Sequence, residues 1–324
     1  MTRVLTGVLL LVLAGMKATG QMNPAQTAEP SPSVAAGSGE QEMLRHIARL
    51  EAEARSAEAA GFDQRSMAVI YANLGGLYEE LDMQVKAEGA MKRSIAFLKN
   101  GSPKELAFEI GQLATLHLQM GNTRQAEREE MRALQIREAV GDPVGIAEAE
   151  KELAGLFTAE RNFKKALDYA EGAYAVLTDR PEVKPEDRIA IQYTLGFALT
   201  GVRSCDRGMA LLKDAVALTR KDPGPDSLHL GYAEYLLGFG YWQCGDTDRA
   251  SEWLQRGTTD MKADFGWDRA IYIDAMRQYA HFLRKTGHQD AAESAQAVVN
   301  QAEAVVDART LTDRAAGFRS SEPR

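Results

Sequence analysis

A self-repeat constrains this chain more than any other feature. Six times a Leu or Tyr is followed at once by a small residue: Leu74-Gly75, Leu113-Ala114, Leu153-Ala154, Leu195-Gly196, Leu237-Gly238 and Tyr279-Ala280. Successive pairs lie 39, 40, 42, 42 and 42 residues apart. Four residues after each large residue stands a ring or an aliphatic: Tyr78, His117, Phe157, Leu199, Tyr241 and Leu283. Thirteen residues after it comes a small residue: Ala87, Ala126, Ala166, Gly208, Ala250 and Ala292. Seven further on are Ser94, Ala133, Ala173, Ala215, Gly257 and finally Val299. A period of this size belongs to stacked supersecondary units, none of which buries its apolar face alone.

Two packed helices per unit account for the spacing. A large residue and a ring one turn apart form the apolar stripe of a first helix. Small residues at matching positions let a second helix approach it closely. Gly121-Asn122, Arg161-Asn162, Gly245-Asp246 and Gly287-His288 supply the turn within a unit, with Gly suited to a left-handed helix end and Asn or Asp to capping the next helix. Stretches 100–103, 141–143, 180–187 and 221–227, rich in Gly, Pro, Asp and Asn, separate the units.

With these residues in register the chain resembles the tetratricopeptide repeat family, in the longer form found in kinesin light chains. The order Ala133-Leu134-Gln135-Ile136-Arg137-Glu138, Gly141-Asp142-Pro143, Leu153-Ala154, Ala166 is similar to that subtype. Glu150 and Gln192 depart from it, standing where the family often carries a large apolar residue. The resemblance implies an all-α, right-handed superhelical solenoid of antiparallel helix pairs over residues 40–306, made of one half repeat and six repeats. The half repeat is placed on 41–60, because Ala48 precedes Ala87 by one 39-residue step.

The ends read differently. Arg3, an apolar run over 4–16 and small residues at Ala18 and Gly20 make residues 1–20 a secretory signal cleaved near Gly20. Met16 stands where a lipoprotein would need its cysteine. Residues 21–39, rich in Pro, Ser, Gly and Ala, read as a flexible linker, and 307–324 as a polar tail. No stretch of the mature chain reaches the ~20 apolar residues of a membrane helix. The expected location is the periplasm or the exterior.

A net charge of -8 offers no basic excess for phosphates, which excludes a general nucleic-acid binder. No catalytic or cofactor motif is present. Gly238-Phe239-Gly240 has neither the strand nor the third glycine of a dinucleotide loop. His46, His117, His229, His281 and His288 share no helix face at metal-ligand spacing, and His117 occupies a core ring position. Cys205 and Cys244 both fall near intra-unit turns of consecutive units. Their offsets within those units differ, so the spacing alone leaves open whether they reach bonding distance.

These features point to a non-enzymatic protein–protein interaction scaffold. In the family the first helices line a concave groove. Tyr193 and Phe197 of the fourth unit, with Tyr232, Tyr235, Phe239 and Trp242 of the fifth, form a second aromatic stripe beyond the packing stripe. Arg277, His281 and Arg284 of the sixth unit put a basic wall beside it. Rings provide large rigid contact area, so this floor is expected to hold a peptide or helix. A glycan-binding module stacking sugars on the same rings is the alternative.

Overall fold

In a computed structural model of the protein, backbone is described for residues 32–319 except 82, 181–182, 222–229 and 266–269. Side chains are described within 39–306, with additional gaps at 40, 179, 264–265 and 270. The segment 1–20, expected to be a secretory signal, and His229 lie outside the described residues.

Among these residues there are thirteen helices and no strand. An opening helix α1 (Pro32–Ala60) precedes six antiparallel pairs: α2 (Gln64–Glu80) with α3 (Gln84–Leu98), α4 (Pro103–Gln119) with α5 (Thr123–Ala139), α6 (Pro143–Ala159) with α7 (Phe163–Asp179), α8 (Pro185–Gly201) with α9 (Cys205–Lys221), α10 (Leu230–Gln243) with α11 (Thr247–Phe265), and α12 (Ala270–Lys285) with α13 (Gln289–Arg319). Each helix packs chiefly on its sequence neighbours, which is the contact pattern of a solenoid.

Local chemistry sets the boundaries. Asp63, Ser102, Asp142 and Asn162 cap their helices, accepting from the backbone N–H three residues on. Pro103, Pro143 and Pro185 open α4, α6 and α8, where the missing N–H has no partner to lose. Gly121, Gly245 and Gly287 are left-handed, at φ 76°, 85° and 84°. Arg161 and Arg203 take the same conformation at φ 61° and 68° without glycine's freedom.

The repeat register is the core. The six large residues at the pair positions are buried apart from Tyr279, which is half-buried, and all six residues four positions on are buried. His117 is one of these, fully buried with Nε2 3.4 Å from a Glu88 carboxylate oxygen. Ala87, Ala126, Ala166, Gly208, Ala250 and Ala292 are closed off where the paired helices touch. Helices α10 and α11 approach backbone to backbone: a Cβ placed on Gly257 would lie 2.4 Å from the Tyr235 backbone nitrogen. Ala166→Leu or Ala250→Leu should therefore lower stability by about 1–3 kcal/mol, as overpacking does in other cores. Thermal melts unchanged by both substitutions would show that the small-residue register is not structural.

Two boundaries move. Helix α1 begins at Pro32, within the stretch read as a linker, and α13 continues to Arg319, through most of the stretch read as a tail. Ala48 is exposed, and α1 instead buries Ile47, Leu50, Ala54 and Ala57. Among the described residues no helix precedes α1 to hold it to the register of the later second helices.

Charged groups also enter the interior. Lys151 on α6 is buried, with Nζ 2.7 Å from Asp187 on α8 and 3.6 Å from Glu152. Glu234 on α10 is fully buried between Arg220 on α9 and Arg256 on α11, each at 2.8 Å.

Candidate functional site

The aromatic stripe does not form a groove floor. Tyr193, Phe197, Tyr232, Tyr235 and Phe239 are all buried. Phe197 packs on Phe239 at 5.5 Å between ring centres, joining the first helices of the fourth and fifth units, and on Phe163 of α7 at 6.3 Å, joining the fourth unit to the third. Helix α10 is buried on every side from Gly231 to Tyr241. Its glycines show why: a Cβ on Gly238 would meet the Leu254 nitrogen at 2.7 Å, and one on Gly240 would meet Leu212 Cδ1 at 2.4 Å. Helix α10 is thus gripped from two directions by α9 and α11. A helix apolar all round is a buried helix, and the surplus stripe carried that signal. The loss of these faces also removes the platform that sugar stacking required.

Arg277 leaves the expected wall as well. It pairs with Asp274 one turn back and with Glu303 on α13. Burial raises the Asp274 carboxyl to about 6, against the pull of Arg277.

Trp242, His281 and Arg284 do come together. Trp242, near the end of α10, is half-buried. Its ring meets Phe239 at 5.1 Å and Phe282 at 5.3 Å, both edge-on, and His281 at 5.8 Å. His281 is exposed on α12. Partial burial lowers its pKa first, with the positive charges of Lys285, Arg284 and Arg161 adding to the effect. Arg161 comes from the α6–α7 turn, three units earlier in sequence. Arg161, Arg284 and Lys285 are exposed and form no ion pair among the described residues.

Sequence reasoning missed Arg161. The available signal was an Arg where the turns of three other units place Gly. The left-handed conformation disfavours a side chain by about 1–2 kcal/mol, so Arg161 and Arg203 are held there by their surroundings. Arg203 donates to the Gln243 carbonyl oxygen, beside Trp242. Cys205 and Cys244 are bonded at the same edge with Cα atoms 5.7 Å apart, tying the start of α9 to the end of α10. What results is an aromatic edge, fixed covalently and rimmed by unpaired cations, with the chemistry to hold an anionic group next to an apolar one.

Among the described residues no group of three or more His, Cys, Asp or Glu is placed to hold a metal ion. None of the described helices is long and apolar enough to cross a membrane.

No family model matches the chain, and no curated protein sequence does. Solved structures do. The chain is similar to the apo form of RapI, with TM-score 0.68 and 10% identity, covering 83% of this chain and 96% of that one. It is also similar to BtubC (BKLC) from P. vanneervenii, with TM-score 0.56, 20% identity and coverage of 70% and 92%. A third likeness is to a Rap protein complexed with Competence and Sporulation Factor, with TM-score 0.53, 15% identity and coverage of 82% and 77%. At these identities the likeness carries the fold: this is a tetratricopeptide-like helical solenoid.

Proposed function

We propose that the chain is an exported, non-catalytic interaction scaffold that grips an acidic peptide or helix at the Trp242 edge. One observation carries this reading: His281 packs on the half-exposed Trp242 ring, Arg161, Arg284 and Lys285 all lie close enough to His281 to lower its pKa, and none of the three forms an ion pair among the described residues. Two of the four sit on parts of the chain 120 residues apart, Arg161 and His281, so only the folded array unites them. A Rap protein of like fold is known in complex with a separate factor, which supports a solenoid of this kind holding a soluble partner. The Cys205–Cys244 bond supports an oxidising location, periplasmic or external, as does the N-terminal apolar run.

A displayed random-peptide library panned on the intact protein tests the proposal. Enriched peptides are expected to carry Asp or Glu beside an apolar residue. Their affinity should fall about thirtyfold or more in Trp242→Ala, the usual effect of truncating an aromatic anchor. It should also fall in Arg284→Glu/Lys285→Glu, which alters only exposed side chains and should leave the melting temperature unchanged. Binding should tighten as pH falls through the His281 titration, because an anion favours the protonated ring. Enriched peptides lacking acidic residues, or insensitive to the charge reversal, would refute the assignment.

A further inference from the structure

A second site stands at the other end of the array. Helices α2, α3 and α4 enclose a cleft of about 290 Å³. Val69, Leu98 and Phe108 line it, and both Val69 and Phe108 are left about half exposed, at 54% and 47%. Deeper in the cleft are Ser94, fully buried, and Glu109, only 9% exposed.

The charges around Glu109 are unequal. Lys104, at the exposed lip, pairs with Asp142 at 3.4 Å, and Glu105 pairs with Arg65 at 2.6 Å. Helix α2 contributes only Ala68, Val69 and Ala72 to the wall, and α3 only Ser94 and Leu98. Glu109 itself forms no ion pair among the described residues. Burial raises its carboxyl to about 7, with the Ser94 hydroxyl acting in the opposite sense. A carboxylate removed from water without a counter-charge costs stability, and an arriving ammonium would relieve it.

We propose that this cleft is a slot for a lysine side chain of a peptide partner, its methylenes against Val69, Leu98 and Phe108 and its ammonium on the Glu109 carboxylate. The match is one of shape and charge together: apolar walls suit the aliphatic arm, and one buried acid suits the head. The site is independent of the Trp242 edge.

NMR titration of the full chain with hexylammonium and with hexanol tests the head-group assignment. Hexylammonium should bind at least about tenfold more tightly than hexanol at pH 8, with shifts in α2 and α4. That advantage should fall about tenfold or more by pH 5.5, as Glu109 takes up its proton while the amine stays charged. Glu109→Gln, close in shape, should erase the difference and keep the hexanol affinity, which also reports that the variant is folded. A Lys-containing hexapeptide should displace hexylammonium, and the same peptide acetylated on lysine should not. Equal binding of amine and alcohol, or amine binding untouched by Glu109→Gln, overturns the slot. Displacement by neither peptide, with the amine bound, overturns the assignment to a peptide lysine.

Discussion

Lys151→Met is expected to destabilise the array by about 3–5 kcal/mol, the usual loss when one partner of a buried ion pair is removed. Lys151 is only 2% exposed and bridges α6 to α8 through Asp187. Burial alone would lower the pKa of its ammonium. The carboxylates of Glu152, Asp187 and Glu148 outweigh that effect and hold it above the ordinary lysine value. A cation with a raised folded pKa contributes in full below its unfolded pKa and loses its contribution only as pH rises through the folded one. The bridge should therefore be intact throughout the neutral range. Urea unfolding at pH 7 measures the loss. Adding Asp187→Leu to Lys151→Met should recover part of it, since removing both charges leaves one fewer carboxylate stranded. A single-variant loss below about 1 kcal/mol would mean that the junction between the third and fourth units does not depend on this pair.

Reduction of Cys205–Cys244 should lower stability by about 4 kcal/mol on the chain-entropy estimate for a loop of this length. The bond spans 39 residues and joins the fourth unit to the fifth. Because a solenoid holds together through neighbouring interfaces, the effect should concentrate in the C-terminal units and loosen the Trp242 edge with them. Melting with and without reductant measures it, and Cys205→Ser/Cys244→Ser should match the reduced protein under both conditions. Protein isolated from the exterior with two titratable thiols, or a melt indifferent to reductant, would remove this cross-link from the account.

The repeat made the architecture legible because it is a local property written six times. Leu-Gly and Leu-Ala pairs, the ring one turn on and the small residues of the second helix each report packing between two adjacent helices. Gly121, Gly245 and Gly287 likewise declare left-handed turns through their own backbone freedom. His117 could be assigned to the core on the same grounds, from its place in the period.

How tightly the units wind on one another is not a local property, and it decided the rest. Tyr232, Tyr235 and Phe239 share a helix face in any such array. Whether that face meets solvent or the neighbouring first helix depends on the angle between units, and here Phe197 and Phe239 close it at 5.5 Å. The same winding brings Arg161 within electrostatic reach of His281, whereas Arg277 is taken up inside its own unit by Asp274 and Glu303. It also turns unequal offsets of Cys205 and Cys244 into a Cα separation of 5.7 Å. By itself the sequence determined the helical pairs, their order and their register, since these follow from contacts a few residues apart. The tertiary structure alone decided which apolar faces are core and which charges remain free, because those follow from contacts between units that the period does not encode.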